Sequence, residues 1–552
     1  MKSTLASLFL FFALLLPAHA QQTSHSFQVA KAMETFCTIF RDLELFYVDT
    51  LDAEQAVEAA IDAMLATLDP YTQYYAEEDM GDLKMMTTGK YGGIGSIIRM
   101  RKDSTVIISE PYEGMPAAEV GLQVGDVLLF IDDQDLRGKS VSEVSDMLRG
   151  EPGTTFRLRV QRPGEKKERA FSITRRSIKV PAITYYGLCA PGVGYIYLSQ
   201  FTENCSAELR RAFIALREQG ADCIVLDLRD NGGGLLSEAV DIVNLFVPKG
   251  LTIVETRGKV AAANTTYITQ NDPLDTDIPL AVLVSGSTAS AAEIVSGALQ
   301  DLDRAVILGS KTFGKGLVQS PRELPYNGSL KLTTSKYYIP SGRCIQAIDY
   351  AAWRKGKQAT QADSLAATFH TAGGRQVREG SGIVPDILLS PDTMPDIAYY
   401  LEMDDILLDW GTAYMQQHTD LPPVSQLEIT DADVADLLAM AKAAGFTYDR
   451  LSAKQLDALK KTMQREGYMD EAEAEVQALE AKLEHNLDRD FARSDKEIRQ
   501  VMGAELVRRY AFQAGTVEFS LRGDPEVEEA VRILRDADAY HRLLNPAATA
   551  ER

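Results

Sequence analysis

Histidine is scarce where chemistry would most need it. The 552-residue chain holds six, and none lies between Ser26 and Phe369. A Ser-His-Asp triad inside that stretch would have to borrow its imidazole from a distant segment. His418, His485 and His541 fall at no metal-ligand spacing. Cysteine is thin as well: Cys37, Cys189, Cys205, Cys223 and Cys344 form no CxxC, so no dithiol or zinc motif is encoded. An odd number leaves at least one unpaired, and they read as small buried hydrophobes. Cys189 and Cys205 flank one predicted strand and are the pair able to join in an oxidising compartment. Basic residues are outnumbered 57 to 79, for a net charge of −22. That balance argues against nucleic acid or an anionic membrane surface as a partner.

Long apolar runs are also missing. The longest, Leu5 to Leu16, is too short to span a bilayer and follows Lys2. With Ala18-His19-Ala20 it forms a leader (residues 1–20) cleaved after Ala20, so an exported, periplasmic protein is expected. Composition elsewhere is ordinary for a globular chain, at 45% hydrophobic and 25% charged, and the length allows three or four domains. Residues 21–88 carry apolar positions at helical spacing, in Phe27 to Phe46 and Ala53 to Leu68. Residues 89–176 turn to strands, tight turns and a short helix from Val141 to Leu148. Residues 177–390 read as α/β, with Trp353 to Gly380 a polar loop or hairpin insertion. Residues 391–552 are helical, in long amphipathic runs from about Asp396 onward.

The chemistry concentrates between Leu280 and Ser320. Leu280 to Val284 reads as a buried strand, a small-residue turn follows, and a helix runs from about Ser290 to Leu302. Ser290 therefore sits where a buried strand turns into a helix, beside free N–H groups and a partial positive charge. That suits a nucleophile whose attack creates an oxyanion. The bland alternative is a capping box, Ser290-Ala-Ala-Glu293, in which the serine only caps the helix. With no histidine nearby, the remaining base is Lys315, which lies between two glycines. A lysine serves as a base only when neutral, which burial favours; Phe313, Leu317 and Val318 are placed to supply apolar surroundings. Gln319, four residues on, is placed to orient the amine without adding charge.

A second glycine-rich turn follows the strand Cys223 to Leu228, in Arg229-Asp-Asn-Gly-Gly-Gly234. It would open a phosphate loop, but no Lys-Ser/Thr follows the glycines. The glycines of Tyr91-Gly-Gly-Ile-Gly-Ser96 likewise miss the dinucleotide spacing and lack a βαβ unit around them.

The segments TASAAE (Thr288 to Glu293) and TFGKGLVQ (Thr312 to Gln319) resemble the signatures of the carboxy-terminal processing peptidases, or tail-specific proteases. That family's usual serine motif reads SASASE, so Thr288 and Ala292 replace serines without removing a dyad group. DLRDNGGG, LKLTTSKYYIPSGRCIQ and GIVPDI add further matches, and the resemblance runs from about Tyr47 to Ile387. It implies a multidomain α/β protein with a core like the ClpP and crotonase folds. It also implies a Ser290–Lys315 dyad assisted by Gln319, and an oxyanion hole from the N–H of Ala291 with that of Gly232 or Gly233. AAEVGLQVGDVLLFIDD and VSEVSDMLRGEPGTTFRLRVQR look like a PDZ domain, which takes a peptide as an added edge strand. Its carboxylate loop would be Tyr91, Gly92, Gly93, Ile94 and Gly95; the alternative is a PDZ domain used only as a lid. The expectation is thus an exported serine endopeptidase that takes protein or peptide substrates by their C-termini. It needs no metal or other cofactor, binds no nucleic acid, spans no membrane, and leaves a homo-oligomer open. A non-catalytic PDZ scaffold and a crotonase-like enzyme acting on acyl thioesters are the alternatives. The helical tail reads either as a solvated structural domain or as a device for assembly or gating.

Overall fold

The computed structural model describes residues 25–77, 79–356, 366–390, 394–418 and 421–545; the leader expected over residues 1–20 lies outside them. The chain divides into two compact units, one ending at Tyr74 and one beginning at Tyr75. The first contains α1 (His25–Phe46) and α2 (Ala53–Leu65). Asp52 caps α2 by accepting from the Gln55 N–H.

The second unit opens with α3 (Met80–Thr88) and β1 (Lys90–Gly93), which pairs antiparallel with β7 (Arg176–Lys179). Between them lies an antiparallel sheet of β2 (Ser96–Met100), β3 (Val106–Pro111), β4 (Val127–Ile131), β5 (Thr155–Gln161) and β6 (Arg169–Thr174), in that order. β2 is its edge strand, with α4 (Val141–Leu148) packed against it. Alternation in β5 buries Phe156, Leu158 and Val160 and turns the arginines between them outward.

The central sheet orders β8 (Ile183–Ala190), β9 (Val193–Leu198), β10 (Cys223–Asp227), β13 (Leu280–Val284), β14 (Val306–Gly309) and β17 (Ile387–Leu388). From β9 onward all pairs are parallel. β13 is fully buried, as a strand covered on both faces must be. Leu280, Val282 and Val284 join a core with α5 (Cys205–Glu218), α6 (Leu236–Asn244) and α7 (Ala291–Asp301). That core also contacts a second, antiparallel sheet built from β11 (Thr252–Gly258), β12 (Thr265–Ile268), β15 (Leu317–Glu323) and β16 (Ser329–Tyr338).

The other face carries Ala281, Leu283, Val193, Tyr195, Val225, Val306 and Leu308. It is covered by Val527, Ala530, Ile533 and Leu534 of α15 (Pro525–Arg535) and Tyr540 and Leu544 of α16 (Ala537–Leu544). The end of the helical tail is therefore part of the α/β core, which amphipathic periodicity alone does not reveal. Cys205 lies in the first core and Cys189 against the second, on opposite faces of the sheet. The pair that the sequence left possible does not form, and both thiols are free.

The rest of the tail has its own core, from α8 (Asp396–Met403), α9 (Ile406–Gln417), α10 (Asp431–Ala443), α13 (Leu487–Arg493) and α14 (Asp495–Ser520), with α11 (Leu451–Glu466) and α12 (Glu473–Leu483) between α10 and α13 in the chain. The long amphipathic runs expected in the tail are interrupted, for one at Asn486, which caps a new helix by accepting from the Arg489 N–H. This core grips the β2–β3 hairpin: Arg99 pairs with Asp405 at 2.6 Å, Arg101 with Asp409 at 3.0 Å and Lys102 with Asp404 at 2.9 Å.

Candidate active site

Ser290 immediately precedes α7, at its N-cap position, with φ 56° and ψ −114°, a positive-φ backbone that only glycine adopts freely. Such a residue persists only where its surroundings hold it, at a cost of about 1–3 kcal/mol. Here the Ser290 N–H donates to Glu293 Oε2 at 2.9 Å, and the Tyr337 hydroxyl donates to the Ser290 carbonyl at 3.1 Å. The capping box expected from Ser290-Ala-Ala-Glu293 thus has its glutamate return bond, but the glutamate does more than cap.

Glu293 is fully buried and accepts four hydrogen bonds. Oε1 takes the Thr312 hydroxyl at 2.6 Å and the Gly314 N–H at 2.7 Å; Oε2 takes the N–H groups of Ser290 and Lys315, both at 2.9 Å. One carboxylate oxygen therefore fixes the backbones of Ser290 and Lys315 to each other. Burial pushes the Glu293 carboxyl above its ordinary range, and the hydrogen bonds from Thr312, Lys315, Ser290 and Gly314 counter it. The loop is tied at other points as well. Phe313 N–H donates to the Thr288 carbonyl at 3.0 Å, and Gly316 N–H to Gln346 Oε1 at 2.8 Å. Of the apolar residues expected around Lys315, Leu317 is buried and Val318 packs on the core, but Phe313 is exposed. Gln319 lies on β15 just after a bulge, and its amide nitrogen donates to the Thr333 hydroxyl on β16 at 3.1 Å.

The glycine turn after β10 packs against the serine turn. Ala289 N–H donates to the Asn231 carbonyl at 2.9 Å, and the Thr288 hydroxyl to the Leu228 carbonyl at 2.7 Å. Gly233 has φ 97°, and a Cβ there would sit 2.8 Å from Ser290 Cβ and 2.9 Å from the Ala291 nitrogen. Only glycine fits. The two glycines left open by the sequence differ: Gly233 N–H is donated to Asn231 Oδ1 at 2.8 Å, while Gly232 is exposed and faces open space.

Residues 192–351 match the model of peptidase family S41, residues 107–162 that of a PDZ domain, and residues 397–534 that of the C-terminal helical domain of probable PDZ-proteases. The chain is 37% identical over 347 residues to a carboxy-terminal-processing protease of Bartonella bacilliformis, covering 62% of this chain and 79% of that protein. The chain belongs to the carboxy-terminal-processing proteases. It is a serine-type peptidase. A carboxyl-terminal-processing protease of Synechocystis sp. is 42% identical over 294 residues, 52% of this chain and 68% of that one. A solved photosystem II D1 C-terminal processing protease is 28% identical, covering 65% of this chain and 87% of its own, at a TM-score of 0.35.

In this family member the segment expected as the PDZ carboxylate loop is only partly a loop. Tyr91, Gly92 and Gly93 lie in β1, paired with Ile178, Ser177 and Arg176 of β7, and only Ile94 and Gly95 connect to β2. A Cβ on Gly92 would fall on the Gly150 carbonyl oxygen, so that glycine serves a backbone approach within the domain. Ile94 is buried and its carbonyl accepts the Ala117 N–H at 2.8 Å. Sequence reasoning missed Glu293 as a link, together with Tyr337, Thr312, Asn231 and Gln346. The signal for Glu293 was present, since it stands directly between Ala291-Ala292 and Ile294-Val295, and a carboxylate flanked on both sides by residues of a buried helix is out of place unless it has partners.

Proposed function

We propose that the protein is an exported endopeptidase using a Ser290–Lys315 dyad to cut proteins near or behind their C-termini. Ser290 is the nucleophile, and Lys315 takes its proton and later returns it to the leaving amine. Gln319 orients the lysine. The N–H groups of Gly232 and Ala291 receive the oxyanion, Gly233 being committed to Asn231. The observation that carries this reading is the shared acceptor: Ser290 N and Lys315 N both lie 2.9 Å from Glu293 Oε2. A fixed separation between nucleophile and base is what an acyl-transfer site requires.

The PDZ domain captures the substrate's C-terminus. Its support is the edge strand β2, with Ile97 and Met100 exposed along it and α4 beside it. A peptide adds there as a further strand, its carboxylate received near Ile94 and Gly95. The test is digestion of one unstructured substrate with a free or an amidated C-terminus. Amidation is expected to raise KM with little change in kcat. Equal KM values would leave the protease reading intact and make the PDZ domain a lid.

A further inference from the structure

Arg229 lies inside the glycine-turn segment, two residues past the end of β10, and connects it to the far end of the chain. Its guanidinium chelates Asp227, with Nε 2.9 Å from Oδ2 and Nη2 2.6 Å from Oδ2. The same group reaches Asp524 Oδ2 at 2.8 Å through Nη2 and Glu526 Oε2 at 2.8 Å through Nη1, both at the start of α15. Tyr195 completes the cluster by donating its hydroxyl to Asp227 Oδ2 at 2.6 Å. One cation thus faces three carboxylates in a mostly buried setting, where charge-assisted bonds are strong and directional. Burial pushes the Glu526 carboxyl up, and Arg229 draws it back.

The residues on either side of Arg229 make the contacts that register the two catalytic turns. Leu228 accepts the Thr288 hydroxyl, Asp230 N–H donates to Ser285 Oγ at 3.0 Å, and Asn231 accepts the Ala289 N–H. Asp230 itself has φ 58°, so the turn is strained at the residue after Arg229 and needs an external hold.

We propose that Arg229 is a positioning residue, and that Asp524 and Glu526 of the C-terminal helical region set the oxyanion turn through it. The tail is therefore part of the catalytic apparatus as well as a cover for the sheet. This rests on the reading of Ser290 and Gly232 given above.

The experiment uses the full chain with Asp524→Asn and Glu526→Gln, singly and together. Asparagine still caps α15, and neither change strands a buried cation, because Asp227 stays with Arg229. Three readings are taken: kcat and KM on a peptide, the affinity of a peptide boronate that forms a tetrahedral adduct, and the thermal midpoint. The double variant is expected to lose kcat and boronate affinity together, roughly 10- to 100-fold, with KM within about twofold of wild type. A wild-type kcat in the folded double variant overturns the proposal. So does a loss of activity that only follows the unfolded fraction, or one equally divided between KM and boronate affinity. Ser290→Ala, run alongside, separates the two readings: if it still cleaves, the dyad itself is wrong.

Discussion

At the scale of single residues, Glu293 decides more than its place in a capping motif suggests. Two donors converge on each of its oxygens, and an amide in its place keeps one acceptor and turns an N–H toward the others. Glu293→Gln is therefore expected to lower kcat by roughly 10²-fold and stability by about 1–3 kcal/mol, with KM little changed. Steady-state kinetics and a denaturant titration check this together; a wild-type kcat would mean that the shared acceptor is not what spaces Ser290 from Lys315. Ser290, Lys315 and the glycines were legible as residue types at telling intervals. The partners that fix them were not, because Tyr337, Asn231 and Gln346 reach the site through hydrogen bonds that only the fold creates. The bond that engages the Gly233 N–H, donated to Asn231 Oδ1, is another that the sequence does not show.

At the scale of elements, the strands and helices of the α/β core followed their apolar patterns closely, with Leu280–Val284 matching residue for residue. Strand β1 did not, since Tyr91-Gly-Gly reads as a turn until β7 supplies a partner at a distance in sequence. The packing of β3 against α14 carries a titratable group of interest. Glu110 on β3 is buried, its Oε1 has no hydrogen-bond partner, and Arg508 and Glu505 of α14 face it. Burial is the main cause that lifts its carboxyl to about 7, with Arg508 opposing and Glu505 adding to the shift. The folded state then holds a proton that the unfolded state releases near the ordinary carboxyl range, so stability falls as pH rises from about 4.5 to 7. Glu110→Gln is expected to flatten that slope and to stabilise the protein above neutrality by on the order of 1–3 kcal/mol. Thermal midpoints of both proteins across pH 5 to 8 measure it, and parallel curves would place the buried proton elsewhere.

At the scale of the molecule, the chain closes on itself. Helices from its last residues cover one face of the central sheet, and Tyr540 on α16 accepts the Leu280 N–H at 2.9 Å and donates to the Leu280 carbonyl at 3.2 Å. Tyr540→Phe leaves that buried backbone pair without its partner and is expected to cost about 1–3 kcal/mol, read as a shift in the denaturation midpoint. An unchanged midpoint would show that this end of the tail contributes only apolar cover. The amphipathic periodicity of the tail foretold helices but not their destination, because a helix that covers a distant sheet and one that packs within its own bundle share the same stripe.

The dyad itself is tested most directly by digesting an unstructured protein with wild type, Ser290→Ala and Lys315→Ala at equal concentration and matched fold. Wild type alone should cut, with a rate rising toward alkaline pH as a lysine base requires. Cleavage by Lys315→Ala at the wild-type rate, or a rate that peaks well below neutrality, would contradict the assignment of Lys315 as the base.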